Sequence, residues 1–280
     1  MADLSKSESR RVRFVISYIF LTLLGATMLI PLAWMLKTSL QPATADVMNI
    51  TRVLPEEYRF KNYSQVVTEM NFGRAVMNSV LVTVATTIGL VTTSSLAAFA
   101  FARLRFFGRN QIFFGYLATL MIPSSVTMIP VFILLRQLGW VNSYYALIIP
   151  PMFSAYGVFM LRQFFLSIPR ELEEAAIIDG CSTFGIYWRV VLPLAKPALA
   201  ALTILTFMGS WRSFMWPVIV THSKEMATLP VALTQFTEMF SVKWNLLMAG
   251  SVIMVLPMIL VFIIGQRFFI EGIQLGAVKG

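Results

Sequence analysis

Glu174, Ala175, Ala176, Asp179 and Gly180 stand in a short polar stretch between two apolar runs, with Glu171 and Glu173 just ahead of them. Carboxylates so placed can do acid–base work, ligate a metal or pair with Arg and Lys of another chain. Catalysis needs a nucleophile or an imidazole beside the acid, and the stretch has no such pair. A metal site needs companion ligands, yet His222 and Cys181 are each the single residue of their type. No catalytic residue and no metal ligand is therefore assigned, and Cys181 has no partner in the chain for a disulfide. Charge offered to a cationic partner remains, with Ala175 and Ala176 small enough to let a second backbone approach.

The surrounding elements read as a compact two-helix knob over 167–197. Ser167 and Pro169 start the first helix, where proline's missing N–H is not needed. The glutamates then meet the positive end of the helix dipole. Three- and four-residue spacing puts Leu172, Ala175, Ala176 and Asp179 on one face. Gly180 stops that helix by entering the left-handed region without a side-chain penalty. Ser182 or Thr183 caps a second short helix through Val191, which Pro193 ends. An amphipathic helix lying on lipid is the alternative. Acids in its first turns would then face an inner leaflet that is itself negative.

Of the 280 residues, 58% are apolar and 12% charged, which points to a membrane protein. Six windows, about 14–36, 76–102, 111–135, 144–166, 197–221 and 244–266, can each cross a hydrocarbon core; crossing takes roughly 20 apolar residues. In lipid each backbone group must be satisfied within its own segment, so the fold class is an all-α membrane protein with six transmembrane helices. Pro123, Pro130, Pro150, Pro151 and Pro257 should bend or locally unwind their spans. Residues 1–13 form a polar lead. The first apolar run is too long for a secretory leader and reads as a retained span. The 38–77 segment is long for a connector and reads as a cover over the outer mouth or a contact for an external partner.

Lys and Arg number 22 against 13 Asp and Glu, a formal net charge of +9. Arg10, Arg11, Arg13, Arg103, Arg105, Arg109, Arg170, Arg189 and Lys196 are among the basic residues that gather on one side of the six-span arrangement. By the positive-inside rule that side is the cytoplasm, which holds both termini and the knob. No basic cluster interleaved with aromatics marks a nucleic-acid surface. No Asp or Glu lies inside a window, as ion-coupled secondary transport would need, and no internal repeat is visible. Trp140, Tyr144, Tyr145, Trp211 and Trp216 fall near the outer boundaries, as an aromatic belt does.

Glu174-Ala175-Ala176, three residues, Gly180, nine residues and then Val190, Leu192 and Pro193 form a spacing that resembles the EAA motif of bacterial ABC-importer permeases. The resemblance extends across nearly the whole chain. Asn62-Tyr63, Asn78-Ser79, the run Ala97-Ala98-Phe99-Ala100-Phe101-Ala102-Arg103, Phe164-Phe165 with Ile168-Pro169, Thr228-Leu229-Pro230 and the tail Gly276-Ala277-Val278-Lys279-Gly280 are similar to the smaller permease subunit of maltose-type carbohydrate importers.

The resemblance implies a specific machine. Residues 14–280 would be a transmembrane permease domain in the bacterial cytoplasmic (plasma) membrane, forming half of a translocation pathway for a sugar or sugar-like solute. The other half would come from a second homologous permease subunit. A dimeric ABC ATPase would receive the loop, and an extracytoplasmic substrate-binding protein would dock outside. Glu174, Ala175, Ala176, Asp179, Gly180, Leu192 and Pro193 would be the ATPase-coupling residues. The chain carries no Gly-rich phosphate loop, so it is expected to be no enzyme and to bind no cofactor of its own. ATP and Mg would be used by the partner ATPase. A permease for a non-sugar solute such as a glycerophosphate is the alternative, with a secondary transporter more remote.

One departure stands out. Residues 211–217 read Trp-Arg-Ser-Phe-Met-Trp-Pro, where the family pattern carries Trp-Asn-Asp-Phe-Leu-Trp-Pro. Arg212 would lie in the outer half of a core about 30 Å thick. Either it lines the passage and favours an anionic or strongly hydrogen-bonding solute, or it snorkels outward or pairs with the partner permease. Asn78, Ser210, Arg212 and Ser213 are the residues expected along the translocation path.

Overall fold

The computed structural model describes residues 2–45, 54–55, 57–69, 71–237 and 242–277. Val278, Lys279 and Gly280, which carry part of the resemblance, lie outside the described residues, as do 46–53 within the long segment after the first span. The described chain is helical apart from one isolated antiparallel bridge between Thr237 and Val242. Four stretches are long and apolar enough to cross a membrane: Arg13–Ser39, Phe72–Arg103, Tyr144–Ser167 and Trp244–Gln266. Two bent helix pairs bring the number to six if each pair is one span.

The chain divides into two compact units, one of Met1–Glu69 with Leu233–Ile253 and one of Met70–Ala232 with Met254–Gly280. The first holds α1 (Ala2–Ser39) and α2 (Lys61–Glu69). From Phe14 to Ile30 the apolar side chains of α1 are exposed, which suits a helix whose solvent is lipid. Its C-terminal end is clamped by the Asn62-Tyr63 pair. The Asn62 amide donates to the carbonyls of Ser39 and Gln41, both at 2.8 Å, and the Tyr63 and Ser39 hydroxyls meet at 2.7 Å. Those bonds satisfy carbonyls that a helix end leaves without partners.

The larger unit is built round α3 (Phe72–Arg103), whose Ala98 is fully buried. After a turn at Gly108 come α4 (Arg109–Ala118) and α5 (Ser124–Gln137), which meet at 102°. The sequence predicts a bend or local unwinding of this span at its prolines, and the chain makes a sharp corner there. Pro123 forces it, because the residue before a proline is pushed out of the helical region, and Ile122 is extended with ψ 116. Pro130, by contrast, sits inside α5, and Pro257 inside α14 (Trp244–Ala277).

The short α6 (Tyr144–Ile148), a 3₁₀ turn at Pro150–Met152 and α7 (Ala155–Ser167) make up the next span. The α7 helix lies along α3 with Leu161 and Phe165 fully buried. Gly157 makes that approach possible, since a Cβ there would fall 2.5 Å from Ser94 Oγ. The knob follows as α8 (Glu171–Ile178), α9 (Thr183–Ile186), a π-helical turn over Tyr187–Val191 and α10 (Leu192–Leu194). After a 78° bend the chain enters α11 (Lys196–Trp211). The fifth window, expected as one helix over 197–221, breaks at Arg212 and Ser213 and resumes as α12 (Met215–Val220). The short α13 (Leu229–Ala232) packs against α3.

Candidate functional site

Two places in the larger unit gather functional groups, one at each end of α3. The knob lies at the Arg103 end. Gly180 has φ +80, its N–H bonds the Ile177 carbonyl at 3.0 Å, and the Cys181 N–H bonds Ala176 at 2.9 Å. This pair of bonds is the Schellman helix stop, and it satisfies carbonyls at the end of α8. A Cβ at Gly180 would meet nothing within 4 Å, so the need for glycine is set by backbone angle and not by crowding. Ser182 accepts from the Gly185 N–H at 3.2 Å and caps α9.

Two expectations about the knob are corrected. Pro193 does not end the second helix; the helical path runs on through Leu194. The wide π-helical turn before it shifts the backbone bonding, so the N–H that proline lacks is not called on. Nor do Ala175 and Ala176 share one environment. Ala176 is buried against the fold beside Ile186, Tyr187 and Val191, while Ala175, Glu174 and Asp179 are exposed. Leu192 is half-buried and Pro193 exposed where the knob turns into α11.

The root of the knob is held by Arg103, the last residue of α3. Its Nη2 donates to the carbonyls of Phe165 and Ile168, both at 2.7 Å, which lie at the end of α7. Its Nε stands 2.7 Å from Glu173 Oε1, with the two side chains 4% and 15% exposed. That contact is an ion pair whose N–H is not well aligned for a hydrogen bond. One guanidinium thus ties together α3, α7 and α8. On the other side of the knob Tyr187 bonds Ser95 at 2.7 Å and packs its ring 5.2 Å from that of Phe99. Outward, Leu172, Ile177, Ile178, Phe184 and Trp188 are exposed beside the two free carboxylates. Such apolar exposure rimmed by charge marks a surface that meets something.

Toward the other end of α3 lies a cavity of about 510 Å³. Ser79, Thr83 and Thr86 of α3 line one wall, at four- and three-residue spacing on a single face. Thr206, Ser210 and Trp211 of α11 line another, with Ser213, Trp216 and Thr228 completing it. The indole N–H groups of Trp211 and Trp216 donate to the carbonyls of Met254 and Ala146, at 2.9 and 3.0 Å, which fixes both rings.

Of the residues expected along a passage, Ser210 and Ser213 line this cavity. Asn78 is fully buried as a clamp: its amide donates to the carbonyls of Glu225 and Ala227 at 2.8 and 2.9 Å, and its Oδ1 accepts from Tyr144 at 2.6 Å. Beside it Ser79 Oγ accepts from the Leu229 N–H at 2.7 Å, so Asn78-Ser79 pins the Thr228-Leu229-Pro230 segment. Arg212 is exposed at the C-terminal cap of α11 and is not among the residues that line the cavity. Thr83, Thr86 and Thr228 were missed from sequence, although the hydroxyl stripe on α3 was there to be read.

Residues 89–274 match the family described as binding-protein-dependent transport system inner membrane component. The arabinooligosaccharides transport system permease protein AraQ of Halalkalibacterium halodurans is 37% identical over 257 residues, covering 89% of this chain and 91% of that one. The sn-glycerol-3-phosphate transport system permease protein UgpE of Yersinia pestis is 36% identical over 204 residues, covering 72% of this chain and 73% of its own. A chain from the crystal structure of a bacterial ABC transporter involved in the import of the acidic polysaccharide alginate superposes with a TM-score of 0.82 at 25% identity, covering 93% of this chain and 98% of that chain. The knob and most of the cavity wall fall within the matched residues, and the chain belongs to the family of binding-protein-dependent transport system inner membrane components, with the all-α fold of an ABC-importer permease.

Proposed function

We propose that this chain is one of two permease subunits of an ATP-driven sugar importer and that the 167–197 knob is its handle for a partner ATPase. The observation that carries the reading is the division of the knob into a rooted side and a presented side. Arg103, Glu173 and Ala176 are turned inward, while Glu174, Asp179, Ile177 and Ile178 are turned out. A handle must be stiff at its root to transmit displacement, and a buried ion pair bonded to helix-end carbonyls supplies stiffness. Exposed carboxylates beside apolar side chains suit a groove that carries Arg or Lys.

In this reading both termini and the knob lie in the cytoplasm, as the distribution of Lys and Arg favours. A second permease completes the pathway, a binding protein delivers solute from outside, and ATP and Mg are used by the ATPase alone. Closure of the ATPase dimer moves the knob, and α3, α7 and α11 move with it as packed bodies. The carbohydrate cargo is supported by the resemblance to AraQ over most of both chains. The similarity to UgpE favours a glycerophosphate as the second reading.

The test is co-purification of the ATPase with this chain from detergent-solubilised membranes, using Glu174→Lys. The variant is expected to insert normally and to lose the ATPase and ATP-driven uptake. Retention of both would refute the coupling role.

A further inference from the structure

The cavity beside α3 speaks to the cargo, on which the knob is silent. We propose that it is a subsite for an uncharged sugar ring, so that this subunit itself selects against phosphorylated and carboxylated solutes. The proposal rests on the reading of the chain as an importer permease and narrows its substrate class.

Three observations carry it. The first is volume. About 510 Å³ falls in the ordinary range of small-molecule sites, roughly 300–1,000 Å³. The second is chemistry. Among the described residues no Asp, Glu, Lys, Arg or His lines the cavity; its polar groups are mainly hydroxyls, set among Trp211, Trp216 and Tyr156. A sugar hydroxyl both donates and accepts, as Ser and Thr do. An anion would have to shed water against a wall with no cation to compensate it. Arg212, flanked in sequence by two lining residues, is exposed and absent from that wall.

The third observation is unmet hydrogen-bonding capacity. Ser79 and Ser154 already accept from the backbone N–H groups of Leu229 and Gly157. Thr86 and Thr228 are 2% and 4% exposed, and their Oγ1 atoms have no partner among the described residues; each lies just beneath the wall and meets a ligand only after its side chain rotates. Buried hydroxyls without partners are costly; Thr38, Thr87 and Ser94 are unpartnered too, and what sets Thr86 and Thr228 apart is their place beside an open cavity. Both belong to the cavity wall, one on α3 and one on the segment that Asn78-Ser79 pins in place. The fixed and half-buried indole of Trp216 offers apolar ring surface on the same wall, the other half of sugar recognition, while Trp211 is buried in a stack with Phe207 behind it.

The test uses the complete transporter, purified through this chain, and reads binding by ligand-observed NMR. The probes are the neutral disaccharides arabinobiose, cellobiose and maltose, with glycerol 3-phosphate and a diuronate as anions. At least one neutral disaccharide is expected to bind and both anions to fail. Thr86→Val and Thr228→Val, which remove a hydroxyl at nearly constant volume, are each expected to weaken that binding about tenfold. Ser210→Phe, which fills the cavity from α11, is expected to abolish it. The same preparations are scored for co-purifying ATPase. Loss of the ATPase from the unmodified complex would take down the permease reading and this one with it. Retained ATPase with no neutral sugar bound, with an anion bound as well as the sugar, or with sugar affinity unmoved in all three variants, overturns the cavity proposal alone.

Discussion

The two ends of α3 solve opposite problems with opposite chemistry. At the Arg103 end a guanidinium is buried, paired with Glu173 and bonded to two helix-end carbonyls. Toward the other end no ionised group among the described residues lines the cavity, and two of its hydroxyls have no partner among them. A buried charge network has one good arrangement and resists deformation, as a mechanical joint must. Neutral hydroxyls form weaker bonds that can be exchanged for those of a passing solute, as a pathway must. In the proposed reading rigidity and selectivity are thus kept apart, about the length of one span from each other.

Of the two ends, the joint is the one a single substitution should damage most. Arg103→Ala would leave the Glu173 carboxylate and two carbonyls without their partner. Loss of one member of a buried pair costs about 3–5 kcal/mol. The variant is expected to melt earlier in detergent and to lose ATP-driven uptake, while neutral-sugar binding at the cavity persists. Parallel loss of sugar binding would mean that the two ends are not separable. Gly180→Val comes next. No neighbour would clash with its Cβ, so its effect isolates the cost of a positive φ, about 1–2 kcal/mol in an L-residue. ATPase binding is expected to fall with Val and to recover with Gly180→Asn, which tolerates the left-handed region. Equal loss with Asn would show that something other than backbone angle is at stake.

Smaller effects sharpen the contrast. Tyr187→Phe removes the 2.7 Å bond to Ser95 while keeping the ring against Phe99, and is expected to cost about 1 kcal/mol in thermal unfolding with uptake reduced but present. Arg212→Ala is expected to change neither sugar affinity nor the exclusion of glycerol 3-phosphate by more than about twofold, since an exposed side chain off the wall has little to contribute. A gain of glycerol 3-phosphate binding in that variant would return Arg212 to the pathway and remove the charge-free wall from the account.

Much of the joint was legible in the sequence, because helix stops are local chemistry. Gly180 at φ +80 and Ser182 as a cap follow from residue type and position alone. The long apolar windows were legible for the same reason, as composition sets them. The partner of Glu173 was not, since Arg103 lies on another helix and only packing brings them together. The helical run through Pro193 was hidden because a π-helical turn has no residue signature to announce it. Asn78 illustrates the same limit. A polar residue at the mouth of a span reads as a pathway candidate, yet its three bonds go to residues on other helices and loops and hold the frame. The cavity required three elements to converge, and only the Ser79, Thr83, Thr86 spacing was present in one dimension.

Whether charge presented by the knob couples this chain to an ATPase is decided by ATP-driven sugar uptake into proteoliposomes that hold the complex with Glu174 intact or changed to Lys. Glu174→Lys is expected to abolish uptake and release the ATPase while the neutral sugar still binds. Undiminished uptake with the ATPase still attached would contradict that coupling.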